Sequence, residues 1–424
     1  SGIRGIYGKD FFPADIIKFC DGFSTLIKMD KCVIARDTRP SGIMISNIVS
    51  SVLLERGIDV YNLGMVPTPV AFREAKKKGA GIIITSSHNP LDWNGLKFIL
   101  EGRGITEKEL QIVKNERNLN RKKIGKEIFA ESDYILDAAN IIGKMNQSQQ
   151  VTLDIGGGAA KYVAPQLLQK IGCQVITIND ELEVSSRGPD PTSDELTELV
   201  KKTKNIGFAF DLDSDRVVLV INGEKKSPDI TLGLGVVKAI KLGIKRFVLS
   251  LDSSLAIEKY IINHGGKVWR SKVGEANVIQ MMIENDADAG GEGSSGGFIL
   301  KKFNMCRDGL LTSGLIASMI NEKNIQKDIE FFESFSQIRD KISVESILHD
   351  SIITEMALRL QDKYQINQLD GIKISINENT WSLIRKSNTE DIIRISTESN
   401  DKHLLENIQK EMLENVKNCY EEIK

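Results

Sequence analysis

The run Asp211-Leu212-Asp213-Ser214-Asp215-Arg216 lies between two uninterrupted apolar stretches, Ile206-Gly207-Phe208-Ala209-Phe210 and Val217-Val218-Leu219-Val220-Ile221. Stretches this short, with β-branched and aromatic members, predict buried strands rather than helices. Three carboxylates at alternate positions are therefore delivered to a strand end, where they repel one another unless a cation sits among them. Hard oxygen donors at this density suit Mg²⁺, Mn²⁺ or Ca²⁺ and argue against a thiolate-seeking metal. Arg216 beside them predicts an anionic group, such as a phosphate, sharing the metal. The plainer alternative is a solvated acidic turn in a hairpin that closes at Asn222-Gly223.

Two other uses of such a run can be weighed. An EF-hand loop requires Gly at its sixth position and Glu at its twelfth; those places hold Arg216 and Asn222, so that reading fails. A haloacid-dehalogenase-like phosphatase would use Asp211 as nucleophile. Asp211-Leu212-Asp213 fits it superficially, but Ser214-Asp215 stand where such enzymes carry Gly-Thr.

Composition bounds the rest. A chain of 424 residues exceeds one ordinary core and predicts about three domains. With 41% hydrophobic and 27% charged residues it reads as a globular protein. Lys+Arg 56 against Asp+Glu 58, with no basic tail or stripe, argues against nucleic acid as a partner. The five cysteines are scattered without a C-x-x-C and the histidines number four, so neither a disulfide framework nor a zinc site is signalled. No apolar stretch approaches the roughly 18 residues that a membrane span needs, and Ser1-Gly2-Ile3-Arg4-Gly5 has no signal-peptide character. The expectation is a cytoplasmic enzyme with no membrane partner; oligomeric state is not legible.

Strand-like and helix-like segments alternate along the chain, which predicts an α/β fold. Cys32 to Ala35, a helix around Ile43 to Arg56, Ile58 to Tyr61 and Gly81 to Ile84 form one such series. Val151 to Ile155, a helix near Ala164 to Ile171 and Gln174 to Ile178 begin a second. Arg246 to Leu251, a helix near Leu255 to His264 and Lys267 to Trp269 begin a third. Ile372 to Ile376 and Ile392 to Ser396 alternate as antiparallel strands do, and a helix near Leu404 to Ile423 closes the chain. The expected divisions are 1–136, 137–236, 237–345 and 346–424: three related α/β domains plus a smaller C-terminal α+β domain around a central cleft. Gly156-Gly157-Gly158 lacks the G-x-G-x-x-G spacing of a dinucleotide turn and reads as structural.

Three more constellations carry chemistry. Thr85-Ser86-Ser87-His88-Asn89-Pro90 follows a strand, and Asn-Pro holds its hydroxyls in a turn at the strand end, where ligands gather in α/β sheets. Gly290-Gly291-Glu292-Gly293-Ser294-Ser295-Gly296-Gly297 reads as a flexible loop that admits a ligand close to backbone, with Glu292 and a serine for sugar hydroxyls. Arg385-Lys386-Ser387-Asn388-Thr389-Glu390, with Arg394 on the next strand, can cradle a phosphate.

Together and in this order the four motifs resemble the α-D-phosphohexomutase family of phosphoglucomutases, phosphomannomutases and phosphoglucosamine mutases. Thr85 to Pro90 is similar to its T-A-S-H-N-P, Asp211 to Arg216 to its D-G-D-G-D-R, the Gly290 region to its G-G-E-x-S-G, and Arg385 to Glu390 to its R-x-S-G-T-E. Gly2-Ile3-Arg4-Gly5, Arg36 to Gly42, Pro67-Thr68-Pro69 and Asn94-Gly95-Leu96-Lys97 extend the likeness over nearly the whole chain, and Glu292 to Gly297 with Arg307-Asp308-Gly309 look most like archaeal-type members. The resemblance implies interconversion of the 6- and 1-phosphates of a hexose or hexosamine (glucosamine, mannose or glucose) through a phosphoserine and a bisphosphorylated sugar. Ser87 would be that phosphoserine. Mg²⁺ would be held by Asp211, Asp213 and Asp215 and touch the Ser87 phosphate. Arg4, His88, Lys97 and Arg216 would surround the reacting oxygens, Lys97 as acid/base. Glu292 with Ser294 or Ser295 would read the sugar hydroxyls. Arg385, Ser387, Asn388, Thr389 and Arg394 would grip the non-reacting phosphate, and a hexose 1,6-bisphosphate would serve as activator. Leu212, Asn388 and Asp391 depart from the pattern: the first predicts a narrowed metal site, the last a negative charge near the phosphate. They motivate the alternative of a sugar-phosphate-binding homologue without catalysis.

Overall fold

The computed structural model describes residues 2–117, 123–145, 148–387 and 390–424. One arrangement occurs three times. In the first, Lys31–Arg36 lies between Asp59–Met65 and Ala80–Ile84, all parallel, and Trp93–Leu100 adds antiparallel to Ala80–Ile84. The second places Gln150–Asp154 between Gln174–Ile178 and Ile206–Phe210, with Val217–Ile221 antiparallel beyond. The third repeats it with Arg246–Ser250, Lys267–Ser271, Ala289–Glu292 and the antiparallel Gly297–Leu300. Parallel neighbours need crossovers, which the helices Gly42–Glu55, Ala164–Ile171 and Leu255–Asn263 supply. The first sheet is widened by Gly2–Ile6 at one edge and Glu127–Phe129 at the other.

This topology fixes where chemistry can sit. Each unit turns back on itself once, between its third parallel strand and the antiparallel strand that follows. Those three turns are residues 85–92, 211–216 and 293–296, which carry the serine loop, the acidic run and the glutamate loop. The strands before the first two turns are wholly buried, so the polar residues begin where the apolar ones stop.

The fourth unit is a five-stranded antiparallel sheet in the order Ser336–Ser343, Ile392–Ser399, Thr380–Lys386, Ile372–Asn377, Gln365–Asn367. Ile372, Ile374, Ile384, Ile393 and Ile395 pack on one face against Ile352 and Met356 of helix His349–Leu360 and Ile408 and Met412 of helix Lys402–Ile423. Period-two alternation turns Lys373, Trp381, Leu383, Arg385 and Arg394 to the other face.

The divisions read from sequence shift in three places. Ser336–Ser343 is hydrogen-bonded along its length to Ile392–Ser399, so the division before the fourth unit falls ahead of Ser336 rather than after 345. Divisions at 136/137 and 236/237 would cut the helices Tyr134–Ile142 and Pro228–Lys241. Both helices are tied into a core that runs without a break through the second and third units, from Leu153 and Phe208 to Leu249 and Phe298. The fourth unit meets the third through a much smaller apolar contact, Leu251 with Trp381 and Leu383. Among the described residues no helix is long and apolar enough to cross a membrane.

Candidate functional site

Ser87 sits one turn beyond Ala80–Ile84 in a left-handed backbone conformation, φ +51°, which costs energy for a residue with a side chain and must be held from outside. Two sets of bonds hold it. Its N–H donates to Thr85 Oγ1 at 2.8 Å, and the Thr85 hydroxyl donates to Asp37 Oδ2 at 2.6 Å. The fully buried Arg39 guanidinium donates to Asp37 and to the carbonyls of Ser87, Asn89, Pro90 and Trp93, so one cation gathers the loop from beneath. The Ser86 hydroxyl donates to Asn89 Oδ1 at 3.2 Å.

Ser87 Oγ reaches across to the second unit and donates to Asp211 Oδ2 at 2.8 Å. Asp211, Asp213 and Asp215 are buried and offer oxygens within 4.8 Å of one another, with Leu212 in place between them. Thr68 of the first unit ties down this loop, its N–H donating to the Asp213 carbonyl at 2.8 Å and its hydroxyl to Asp213 Oδ2 at 2.7 Å. Lys97 Nζ lies 2.6 Å from Asp213 Oδ2 and 2.9 Å from Asp215 Oδ2. Burial works against that ammonium, but the two carboxylates outweigh it and hold its pKa above the ordinary lysine value. Burial and then the charges of Asp213 and Asp215 push the Asp211 carboxyl up. Asp215, although buried, is held below the ordinary range by Arg307 and Lys97.

A divalent cation fits this donor set. Asp213 Oδ1 and Asp215 Oδ1 are buried with no hydrogen-bond partner, a costly state for anionic oxygens that a metal would relieve.

Around the serine, Arg216 donates from its backbone to Asp211 Oδ1 at 3.1 Å and from Nη1 to Asp190 Oδ2 at 3.1 Å, and its Nη2 lies 3.5 Å from His88 Nε2. His88 Nδ1 is 3.4 Å from Ser87 Oγ. Burial, then the Arg216 charge, depresses the His88 pKa to about 3, so the ring is neutral at physiological pH. Arg4 donates to Asn89 Oδ1 at 3.0 Å, and burial, then the Arg216 charge, lowers its pKa, with Asp213 and Asp215 acting in the other direction.

The glutamate loop differs from its expectation as a flexible segment. Gly290 to Glu292 lie in the buried strand Ala289–Glu292, and Gly293–Ser295 form a single tight turn. The glycines answer crowding: a Cβ on Gly291 would stand 2.3 Å from both the Gly297 carbonyl oxygen and Leu232 Cδ1. Glu292 accepts from the Gly274 N–H at 3.0 Å and from Arg307 Nη1 at 2.9 Å. Ser294 and Ser295 both line the cleft, but Ser295 is buried and its hydroxyl is bonded to the Glu292 carbonyl at 3.2 Å.

Arg307 joins the two loops. Its guanidinium donates to Asp215 Oδ2 at 2.9 Å, Glu292 Oε2 at 2.9 Å and Glu275 Oε2 at 3.2 Å. Sequence reading missed this role, as it did those of Arg39, Thr68 and Asp190. The available signal was the pairing of Arg307 with Asp308-Gly309, a helix start in which Asp308 caps Gly309–Ala317.

Across a cleft of about 680 Å³ stand Arg385, Ser387 and Arg394 of the fourth unit. Arg385 lies 3.6 Å from Asp370, Arg394 pairs with Glu390, and the Ser387 N–H closes the hairpin to the Ile392 carbonyl at 3.0 Å. Asn388 and Thr389 lie outside the described residues. The Asp391 carboxylate, expected near the phosphate, instead accepts from the Ser346 N–H and hydroxyl. Arg216, Arg307, Arg339, Lys341, Arg385 and Arg394 face the cleft against the carboxylates Asp190, Asp252, Glu292 and Asp340, an excess of positive charge suited to an anionic ligand.

Comparison with known proteins gives the family. Models of phosphoglucomutase/phosphomannomutase α/β/α domains I, II and III match residues 1–123, 132–224 and 229–335, and that of the C-terminal domain matches 350–415. The chain is 33% identical to a probable phosphoglucosamine mutase of Methanosphaera stadtmanae, covering 98% of each, and 31% identical to the phosphoglucosamine mutase of Methanococcus maripaludis, again covering 98% of each. A phosphoglucomutase/phosphomannomutase family protein of Burkholderia thailandensis shares the fold with a TM-score of 0.86 at 23% identity, over 99% of this chain and 96% of that one. The chain belongs to the phosphoglucomutase/phosphomannomutase family and is a phosphohexomutase-type isomerase acting on a phosphorylated sugar.

Proposed function

We propose that the protein interconverts glucosamine 6-phosphate and glucosamine 1-phosphate, using a phosphoryl group carried on Ser87 and Mg²⁺ held by Asp211, Asp213 and Asp215. The observation that carries this reading is the Ser87 hydroxyl 2.8 Å from Asp211, in a cluster with two unpaired carboxylate oxygens, its neighbour His88 lining a cleft rich in cations. Bound there, Mg²⁺ would neutralise charge on the transferring phosphoryl group. The choice of glucosamine is supported by the activity named for the archaeal relatives and by Asp252 and Glu292 in the cleft, which suit a cationic 2-amino group.

In the transfer, the bond from Ser87 Oγ to phosphorus breaks as one forms to a sugar hydroxyl. Oγ takes up a proton as it leaves and the sugar hydroxyl gives one up, so the protons balance. Lys97, an ammonium held by Asp213 and Asp215, gives its proton to Oγ and regains one from the sugar hydroxyl. Arg4, Arg216 and neutral His88 line the reacting oxygens. Glu292 and Ser294 hold the sugar hydroxyls; Ser294 is preferred over Ser295 because the Ser295 hydroxyl is already bonded. Arg385, Ser387, Asn388, Thr389 and Arg394 grip the phosphate that does not react. Because clamp and serine belong to different units, the bisphosphate can present either end to Ser87 while the clamp holds the other. A hexose 1,6-bisphosphate would charge the serine at the outset. Buried free thiols at all five cysteines suit a reducing cytoplasm.

A ³¹P NMR time course tests the reading: protein, Mg²⁺, a trace of glucose 1,6-bisphosphate and, in turn, the 6-phosphates of glucosamine, mannose and glucose. Growth of a 1-phosphate resonance, fastest with glucosamine and absent with Ser87→Ala, is the expected result. Free phosphate appearing at equal rates in both proteins would overturn it.

A further inference from the structure

The clamp contains a cation that its sequence motif does not include. Ser336–Ser343 and Thr380–Lys386 flank Ile392–Ser399 on either side, and the register places Lys341 directly opposite Arg394 and Arg394 directly opposite Arg385. Directly opposed residues of an antiparallel sheet project from the same face with their Cβ atoms about 5 Å apart. Three cations thus form one rung across three adjacent strands, and all three line the cleft. Like charges placed so destabilise a sheet. Arg385 and Arg394 have partial relief in Asp370 and Glu390, whereas Lys341 has no carboxylate partner among the described residues. Nothing in the packing requires a lysine: Lys341 is exposed, and its neighbour Ile342 meets the helices on the opposite face.

We infer that Lys341 is a phosphate-binding residue that completes a three-cation rung with Arg394 and Arg385 and holds the non-reacting phosphate of the substrate. The inference rests on the phosphohexomutase reading and adds a residue to its specificity. An anion set over the rung converts mutual repulsion into three charge-assisted contacts. Lys341 also lies on the strand that enters the fourth unit from the third, and Arg339, two residues earlier on the same face, donates to Asp229 of the third unit at 2.7 Å. Phosphate held by Lys341 therefore sits on the connecting strand itself.

The test compares wild type, Lys341→Gln and Lys341→Arg, with Arg385→Ala as a reference for clamp loss. Titration calorimetry gives Kd for glucosamine 6-phosphate, initial rates give KM and kcat, and thermal melting reports stability. For Lys341→Gln we expect Kd and KM to rise about tenfold, kcat to stay within about twofold, and the salt dependence of Kd to weaken, with Lys341→Arg close to wild type. Melting of the ligand-free Lys341→Gln protein should be unchanged or higher, because a repulsion is removed; a residue with a merely structural role would lower it. If wild type turns over substrate and Arg385→Ala weakens binding, but Lys341→Gln leaves Kd and KM unchanged, the inference is wrong and the functional reading stands. If wild type neither binds nor isomerises glucosamine, mannose or glucose 6-phosphate, the functional reading falls and the inference with it.

Discussion

Replacing Arg39 by Met keeps most of the side-chain volume and removes the charge that gathers the serine loop. The guanidinium and its partner Asp37 are both 0% exposed, so the carboxylate would be left alone in a dry site. Breaking a buried pair from one side costs about 3–5 kcal/mol. Four carbonyls also lose a donor, but Pro90 is exposed and Asn89 and Trp93 are half-buried, so water can replace most of those bonds; Ser87 is buried and its carbonyl adds about 1 kcal/mol. In the other direction, burial already pushes the Asp37 carboxyl up, and with Arg39 gone it would take a proton and shed part of the penalty. The balance is about 4 kcal/mol, close to a thousandfold in an opening equilibrium. Hydrogen exchange read by mass spectrometry should therefore show the 85–94 segment of Arg39→Met losing about three orders of magnitude of protection, while the fourth unit keeps its own. Because Ser87 depends on this loop for its left-handed backbone, kcat should fall about a hundredfold. Protection within threefold of wild type, with kcat unchanged, would mean that the Asn89-Pro90 turn shapes the loop unaided and that the reasoning is wrong.

Other outcomes follow from the same geometry. Lys373 is buried over the Trp381 ring, 3.9 Å from Nζ to the ring centre, and donates to the Leu251 carbonyl at 2.6 Å; burial depresses its pKa to about 7. A depressed pKa means that its contribution to stability is fully present above about pH 10.5 and is lost as pH falls to about 7. The lysine then costs roughly 5 kcal/mol, offset by about 2 kcal/mol from the ring. Lys373→Met should consequently raise the melting temperature of the fourth unit near pH 7 and flatten its rise between pH 7 and 10; a lower melting temperature would contradict this. Asp213→Asn should weaken Mg²⁺ binding on the order of a hundredfold, read by titration calorimetry, and chelation of wild type should stop turnover until Mg²⁺ is restored. Glu292→Gln leaves Arg307 short of one carboxylate and the sugar short of one acceptor, so kcat/KM should drop about a hundredfold; melting should fall less than in Arg39→Met, because Arg307 keeps Asp215 and Glu275.

How much of this was legible depends on how local the signal was. The acidic run could be placed because the strands on both sides are apolar at every position, Ile206–Phe210 and Val217–Ile221, so the polar residues between them had one place to go. The serine loop was legible for the same reason, with Asn89-Pro90 marking the turn. Arg39 was not, because within Arg36-Asp37-Thr38-Arg39-Pro40 nothing local distinguishes a surface turn from a guanidinium whose acceptors lie about fifty residues away. Arg307 draws its partners from three separate stretches, at Asp215, Glu275 and Glu292. Glycine-rich sequence suggested a mobile loop at Gly290, yet there glycine serves close approach within a strand, a use that only the neighbours reveal. Ser336–Ser343 escaped because one of its faces is charged, and a strand bordering a cleft does not carry the apolar pattern that marks a buried one. The Ser227-Pro228 pair, a cap followed by proline at the first turn, did mark the start of Pro228–Lys241 and would have corrected the nearby division.

The central claim is that Ser87, and no carboxylate, carries the phosphoryl group between the two ends of one sugar. The direct measurement charges the protein with ³²P-labelled glucose 1,6-bisphosphate, maps the label by peptide mass spectrometry, and chases with unlabelled glucosamine 6-phosphate. The account predicts an acid-stable phosphoester on Ser87, none on Ser86, and label passing to the sugar on the chase. Label on Asp211 as an alkali-labile acyl phosphate, or its release as inorganic phosphate without reaching the sugar, would contradict it.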